Sequence, residues 1–258
     1  MDDLKGLRKI LGKLKESPKS VIFRKLSEDP YSEDLKVLTY SDAGHTKREE
    51  KSTSINGRIT YVVNKRTGMC NPIEWKTKRL TRVYRSVKTS EAISAEENAG
   101  QGANLGTIIR EIMTGKKKHE QKEDSKKDSS QSGKLAGVEL FIDNESTYCN
   151  IYSDKNPKEQ SLIYDIRRIQ QLLRDKELGR VHLVETKAML ADQFTKEMKP
   201  SVEFKQALYD GFLVPQCRCC YKPRNNLPCS GFVDFDPGFE TGAETQTSGK
   251  ENEEEANQ

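Results

Sequence analysis

Three strand-like runs follow one another with no helix between them, and thereafter helix and strand alternate. That order constrains what this 258-residue chain can fold into more than any single motif does. The runs are "LKVLTYSD" (35–42), "GRITYVVNK" (57–65) and "CNPIEWKTK" (70–78), the last two joined by "RTGM", whose glycine marks a hairpin. Together they predict an antiparallel meander. Beyond them "SEAISAEENAG" and "NLGTIIREIMTG" read as one interrupted helix or two, because Gly100, Gly102 and Gly106 each cost about 1 kcal/mol inside a helix. "GVELFID" is a fourth strand and "SLIYDIRRIQQLLRDKE" a helix with Ile163, Ile166, Ile169 and Leu173 at spacings of three and four. "GRVHLVE" is a fifth strand and "KAMLADQFTKEM" a final helix. The predicted fold class is α/β: a mixed five-stranded sheet, antiparallel meander then parallel strands, flanked by helices.

Only 33% of the residues are hydrophobic and 33% are charged, which supports one medium core plus a good deal of solvated chain. The formal charge of +4 hides an uneven distribution of signs. Residues 116–134 hold no large apolar side chain and read as a flexible basic insert, and residues 232–258 as an acidic disordered tail. The main domain is expected over 35–200, with a helix and a cysteine-containing tail over 201–231. Within residues 1–30, Leu4, Leu7, Ile10, Leu11 and Leu14 fall at helical spacing among lysines, so the chain starts on a basic amphipathic helix and reads as a piece of something longer. No stretch approaches the roughly 20 apolar residues of a membrane span, and the N-terminus lacks a signal-peptide core. The expectation is an intracellular protein, not secreted, with no membrane partner. Reduced thiols are expected for all six cysteines, because Cys217, Cys219, Cys220 and Cys229 are bunched and do not resemble a secreted disulfide framework. That cluster has one C-x-x-C and no second spaced pair, so zinc is not expected there.

Two of the strands end on a carboxylate: "LTYSD" delivers Asp42 and "LFID" delivers Asp143. If the two strands are neighbours, like-charge repulsion raises one pKa unless a cation neutralises the pair. Hard oxygen ligands without a histidine cluster favour Mg²⁺ or Mn²⁺ over zinc. Glu91, at the start of the long helix, and Asp192, inside "MLADQFTK", can join them at the sheet edge. Each has an ordinary alternative. Glu91 suits a helix N-terminus on dipole grounds, Asp192 can face solvent, and Asp42 can open a turn before Gly44.

"YSDAGHTKREEKSTSINGRITYVVN", "PIEWKTKRLTRVYRSVKTSEAIS", "LFIDNES" and "LVETKAMLADQFTKEM" together resemble, in order, the ribonuclease H domain of Ty1/copia-type retrotransposon Pol polyproteins. The first basic helix resembles the end of the reverse transcriptase region that precedes that domain. The resemblance implies a ribonuclease H-like fold in which Asp42, Glu91, Asp143 and Asp192 hold two Mg²⁺ ions, with Mn²⁺ a possible substitute. It implies hydrolysis of the RNA strand of an RNA–DNA hybrid, a reverse transcriptase region of the same polyprotein as partner, and a location in a cytoplasmic virus-like particle or the nucleus. Two metals about 4 Å apart activate water and stabilise the departing oxygen, so no serine or cysteine nucleophile is needed.

The family's second aspartate and tryptophan in "SDADW" are Gly44 and His45 here, and its "STEAEY" is "KTSEAI", which leaves Glu96 or Glu97 as alternatives to Glu91. The three glycines of the long helix favour a second reading, a catalytically decayed fragment that keeps the fold and nucleic-acid binding. Lys76, Lys78, Arg79 and Arg82 fall between the third strand and the Glu91 helix, either as phosphate contacts or as a solvated basic loop. Asn144 is a candidate polar contact to the substrate backbone. Trp75 is expected in the core, and His182, mid-strand, as a core or surface histidine away from catalysis.

Overall fold

The computed structural model of the chain describes residues 21, 23–28, 34–46, 53–80, 86–115, 137–196 and 198–217. Five strands form one sheet: β1 (Leu35–Thr46), β2 (Thr53–Asn64), β3 (Cys70–Arg79), β4 (Val138–Ile142) and β5 (Arg180–Leu183), in the order β3-β2-β1-β4-β5. β2 pairs antiparallel with both β1 and β3, while β4 pairs parallel with both β1 and β5. The mixed sheet expected from the order of segments is therefore the sheet observed. Helices α1 (Val87–Thr114), α2 (Glu145–Ile151), α3 (Ile163–Arg174) and the single turn α4 (Val202–Lys205) flank it. At the β2–β3 hairpin Gly68 takes a φ of 71°, and Asn64 Oδ1 accepts the backbone N–H groups of Arg66 and Thr67.

Alternation along the strands splits the core in two. Val37, Val138, Leu140, Ile142 and Val181 pack under α1 and α3, where Ile166, Ile169 and Leu172 meet them. Leu38, Tyr40, Ile59, Tyr61 and Phe141 fill the other side with Met189, Leu190 and Phe204. There Tyr40, Phe141 and His182 stack across three adjacent strands, their ring centroids 4.6 Å apart at each step. His182 is buried, with Nε2 2.8 Å from Glu139 Oε2, which makes it a core histidine.

α1 is one continuous helix, not an interrupted one. Its buried stripe is Ala92, Ala95, Ala99, Gly102, Ala103 and Gly106, all small, and it lets the helix lie close to the sheet. A Cβ on Gly102 would stand 2.7 Å from Thr39 Oγ1, and one on Gly106 would stand 2.3 Å from Val138 Cγ2. These two glycines cost helix propensity and repay it in close packing. Ser86 caps the start by accepting the Thr89 N–H, and Gly115, at φ 66°, ends the helix.

Four other expectations are corrected. "KAMLADQFTKEM" is not an α-helix but two 3₁₀ turns, Thr186–Ala188 and Leu190–Phe194, separated by the extended Met189 (φ −76°, ψ 98°). Met189, Leu190, Ala191 and Asp192 are four consecutive buried residues, more than the one buried face of a surface helix covers. α2 lies where no helix was predicted, since seven residues give too short a window for a 3.6-residue period. Trp75 is 53% exposed, because β3 is an edge strand and its residues from Trp75 to Arg79 stand open to solvent. Cys70 and Cys149 are free thiols, but Cys217 is disulfide-bonded, so the expectation of reduced thiols throughout does not hold; a thiol with other cysteines close by in the sequence has candidate partners at hand. The basic helix at residues 4–15, the 116–134 insert, Arg82 and the 232–258 tail also lie outside the described residues.

The glycines of α1 should respond to alanine with opposite signs. Nothing lies within 4 Å of a Cβ at Gly100, so Gly100→Ala should stabilise by about 0.4–1 kcal/mol. Gly106→Ala should destabilise by about 1–3 kcal/mol through its clash with Val138. Urea denaturation of the two variants beside the parent measures both.

Candidate metal centre

The register of β1 against β4 decides where two carboxylates go. Tyr40 lies beside Phe141 in the parallel pair, so two residues further on Asp42 and Asp143 leave the same edge of the sheet side by side. Asp192 reaches them from the turn Leu190–Phe194, which packs directly on β1 and β2. Two glycines make that approach possible. A Cβ on Gly44 would stand 2.7 Å from the Thr195 carbonyl oxygen, and one on Gly57 would stand 2.5 Å from Thr195 Cγ2. As a result one oxygen from each of Asp42, Asp143 and Asp192 lies within 4.8 Å of the others. Asp42 and Asp192 are buried and Asp143 half-buried.

Glu91 completes the group electrostatically. Its carboxylate accepts the backbone N–H of Ala43, and the charges of Asp42 and Asp143 act on it. The two alternatives point elsewhere. Glu96 feels Asp165 and Arg168 of α3, while Glu97 accepts from Asn56 at 2.9 Å and from Lys78 at 3.2 Å.

Crowding shows in the protonation equilibria. Burial, then Asp42 and Asp143, pushes the Glu91 carboxyl up to about 9, against the opposing Ala43 N–H and Lys196. Burial raises Asp192 to about 6, with the Lys196 hydrogen bond opposing and Asp42 and Asp143 adding. Asp143 is also raised, by burial and then Asp42, while Lys196 and the Thr186 hydroxyl oppose. Lys196 is the compensating cation: its Nζ stands 2.7 Å from Asp192 Oδ1 and 3.8 Å from Asp42 Oδ2. The Thr195 hydroxyl donates to Asp42 Oδ2.

Beneath the carboxylates a buried polar network ties α1 to the sheet. Ser94 Oγ donates to the Asp42 carbonyl at 2.9 Å. Asn98 Nδ2 reaches Ser41 Oγ and Asn56 Oδ1, each at 2.8 Å, and Asn98 Oδ1 accepts Arg58 Nη1 at 3.0 Å. Glu91, Ser94 and Asn98 share one helix face, so one stripe both supplies a carboxylate and anchors the strand carrying another. Sequence reasoning singled out neither Ser94 and Asn98 nor Thr195 and Lys196. The available signals were the 91–94–98 spacing and a lysine four residues after Asp192.

No protein-family model matches the sequence, and no curated protein matches it. Solved structures similar to the chain include the N-terminal RNase H domain of Rv2228c from Mycobacterium tuberculosis, fused to maltose-binding protein. It is 11% identical with a TM-score of 0.41, over 62% of this chain and 91% of that one. RNase H1 from the halophilic archaeon Halobacterium salinarum NRC-1 is 11% identical with a TM-score of 0.41, over 62% and 93%. LC11-RNase H1, isolated from compost by a metagenomic approach, is 13% identical with a TM-score of 0.42, over 62% and 91%.

The substrate-contact candidates are placed as follows. Lys76, Lys78 and Arg79 are exposed on β3. The ladder Asp42–Gly57–Thr77 sets that stretch level with Asp42, two strands away. Asn144 is the N-cap of α2, its side chain accepting the Thr147 N–H at 2.9 Å.

The raised carboxyls predict a pH-dependent fold. Folded, ion-free protein keeps protons on Glu91 and Asp192 that the unfolded chain has already shed, so stability should fall as pH rises from about 5 to about 9. In a chelating buffer the urea midpoint should decline across that range, and Glu91→Gln should flatten much of the slope. A midpoint that climbs with pH contradicts the assigned shifts.

Proposed function

We propose that the chain hydrolyses the RNA strand of RNA–DNA hybrids in a Mg²⁺-dependent reaction. The convergence of Asp42, Asp143 and Asp192 at the rim of the sheet carries the reading. The donor set fits hard divalent cations: three carboxylates, with Glu91 beside them and no thiol or imidazole in the group. Mn²⁺ is the natural substitute. Bound at these oxygens, divalent ions supply an acidified water and charge neutralisation at the scissile phosphate.

The chain's own residues do the remaining work. Asp42, Asp143 and Asp192 hold the ions, and Glu91, anchored by the Ala43 N–H, adds a fourth carboxylate. Ser94 fixes the backbone of Asp42. Lys76, Lys78 and Arg79 contact substrate phosphates from the β3 edge, a sequence-independent mode suited to reading the hybrid by shape and 2′-hydroxyls; Arg82, which lies outside the described residues, remains a candidate by sequence alone. Asn144 lies beside Asp143 with its oxygen committed to the cap, which leaves its amide N–H₂ for a backbone contact.

In this reading the domain belongs to a Ty1/copia-type polyprotein, residues 1–30 being the end of its reverse transcriptase region, and it works inside the cell. Support for the decayed-fragment reading weakens, because Gly102 and Gly106 are seated against the sheet and leave α1 unbroken.

Incubation of the purified chain with a labelled RNA–DNA hybrid should give cleavage of the RNA strand that requires Mg²⁺ or Mn²⁺. Asp143→Asn should lower the rate at least about a hundredfold, the scale of the several kcal/mol that metal charge stabilisation supplies, while hybrid binding persists. Binding without cleavage by either protein would support the decayed fragment, and equal cleavage by both would remove Asp143 from the mechanism.

A further inference from the structure

Taking the carboxylate cluster as a divalent-ion site, we propose that Lys196 is its resident counter-ion, an ammonium that divalent cations must displace. The Nζ lies 2.7 Å from Asp192 Oδ1 and 3.8 Å from Asp42 Oδ2, so it touches two of the three carboxylates that converge. An Mg²⁺–oxygen bond of about 2.1 Å to the same Asp192 oxygen would put the ion against that ammonium. Two like charges at such separation repel strongly in a half-buried site. One of them leaves.

The structure shows which one can. Asp42 and Asp192 are buried, and Asp42 is held further by Thr195 and by the Ser94 bond to its carbonyl. The Lys196 side chain is 41% exposed on a flexible four-carbon stem and has solvent to swing into. Its backbone stays pinned, because the Lys196 N–H donates to the Asp192 carbonyl at 2.9 Å and the neighbouring Thr195 fills the space over Gly44 and Gly57. Exchange is therefore a rotamer change and not a refolding of the turn. Two consequences follow. The ion-free site is preassembled, since the ammonium screens the repulsion that would splay the carboxylates. The site's affinity for ions is also set below what the carboxylates alone would give.

Titration calorimetry with Mn²⁺ alone, at fixed pH and ionic strength, tests this on the whole chain without reference to activity. Lys196→Met should bind Mn²⁺ on the order of tenfold more tightly than the parent, and its urea midpoint should fall in chelator yet rise more steeply with added Mn²⁺. Lys196→Arg should stay near the parent, as should Lys205→Met, which removes an equal charge on α4. Equal or weaker Mn²⁺ binding by Lys196→Met overturns the proposal and leaves the metal-site reading standing. If neither parent nor variant binds Mn²⁺, the metal-site reading itself falls, and this inference with it. If Lys196→Met is unfolded without ions, refolding on Mn²⁺ addition supports the displacement, and failure to refold at Mn²⁺ levels that stabilise the parent overturns it.

Discussion

Mutual repulsion among carboxylates crowded at one edge of the sheet is the constraint the rest of the structure answers. One oxygen from each of three aspartates lies within 4.8 Å of the others, and Glu91 is near enough to feel two of them. Unscreened charges at that distance would open the edge of the domain. The fold answers with fixed backbone on every side: parallel pairing under Asp42 and Asp143, the turn under Asp192, and the Ala43 N–H on Glu91. A lysine four residues beyond Asp192 balances part of the charge.

The two faces of the sheet contribute rigidity by different means. On the α1 face the contact is made by alanine and glycine, so the helix rides low enough for Ser94 and Asn98 to bond the strands directly. A helix carrying leucines on that stripe would stand further off and lose both bonds. On the other face the Tyr40–Phe141–His182 stack crosses β1, β4 and β5 just below the carboxylates, and aromatic rings locked by neighbours hold the strand ends in register. Polar precision on one side and bulky packing on the other converge on the same two residues, Asp42 and Asp143.

Much of this was legible in the chain. Alternation in "LKVLTYSD" and "GRITYVVNK" carried enough information for the meander, and apolar runs that stop on aspartate identified Asp42 and Asp143 because buried charge needs a reason. Other parts were not legible, for physical causes. The 3₁₀ turns around Asp192 answer the need to bury four successive residues, Met189 to Asp192, while bridging to β1 and β2, a tertiary demand that local periodicity does not record. Trp75 reads as core by composition, yet its burial depends on whether anything covers the β3 edge, and from Trp75 to Arg79 that strand stands open to solvent. The single helix α1 looked broken because propensity counts the cost of a glycine but not the neighbour that glycine admits.

Gly44 shows how a departure from a pattern can be an accommodation. In the sequence it stands where the resembling family has an aspartate, and by itself that substitution suggests erosion of the site. In the structure the position is closed to any side chain, since the Thr195 carbonyl lies 2.7 Å from where a Cβ would be, and Gly57 on the paired strand is closed by the same threonine. The turn bearing Asp192 thus docks by its backbone on two strands at once, and the Thr195 hydroxyl bonds Asp42 from that seat. An aspartate at position 44 would push the turn outward and carry Asp192 away from the cluster. The glycine is therefore consistent with a working arrangement of these carboxylates, because the pair Gly44–Thr195 performs the positioning that brings Asp192, the one carried on a turn and not at a strand end, to the other two.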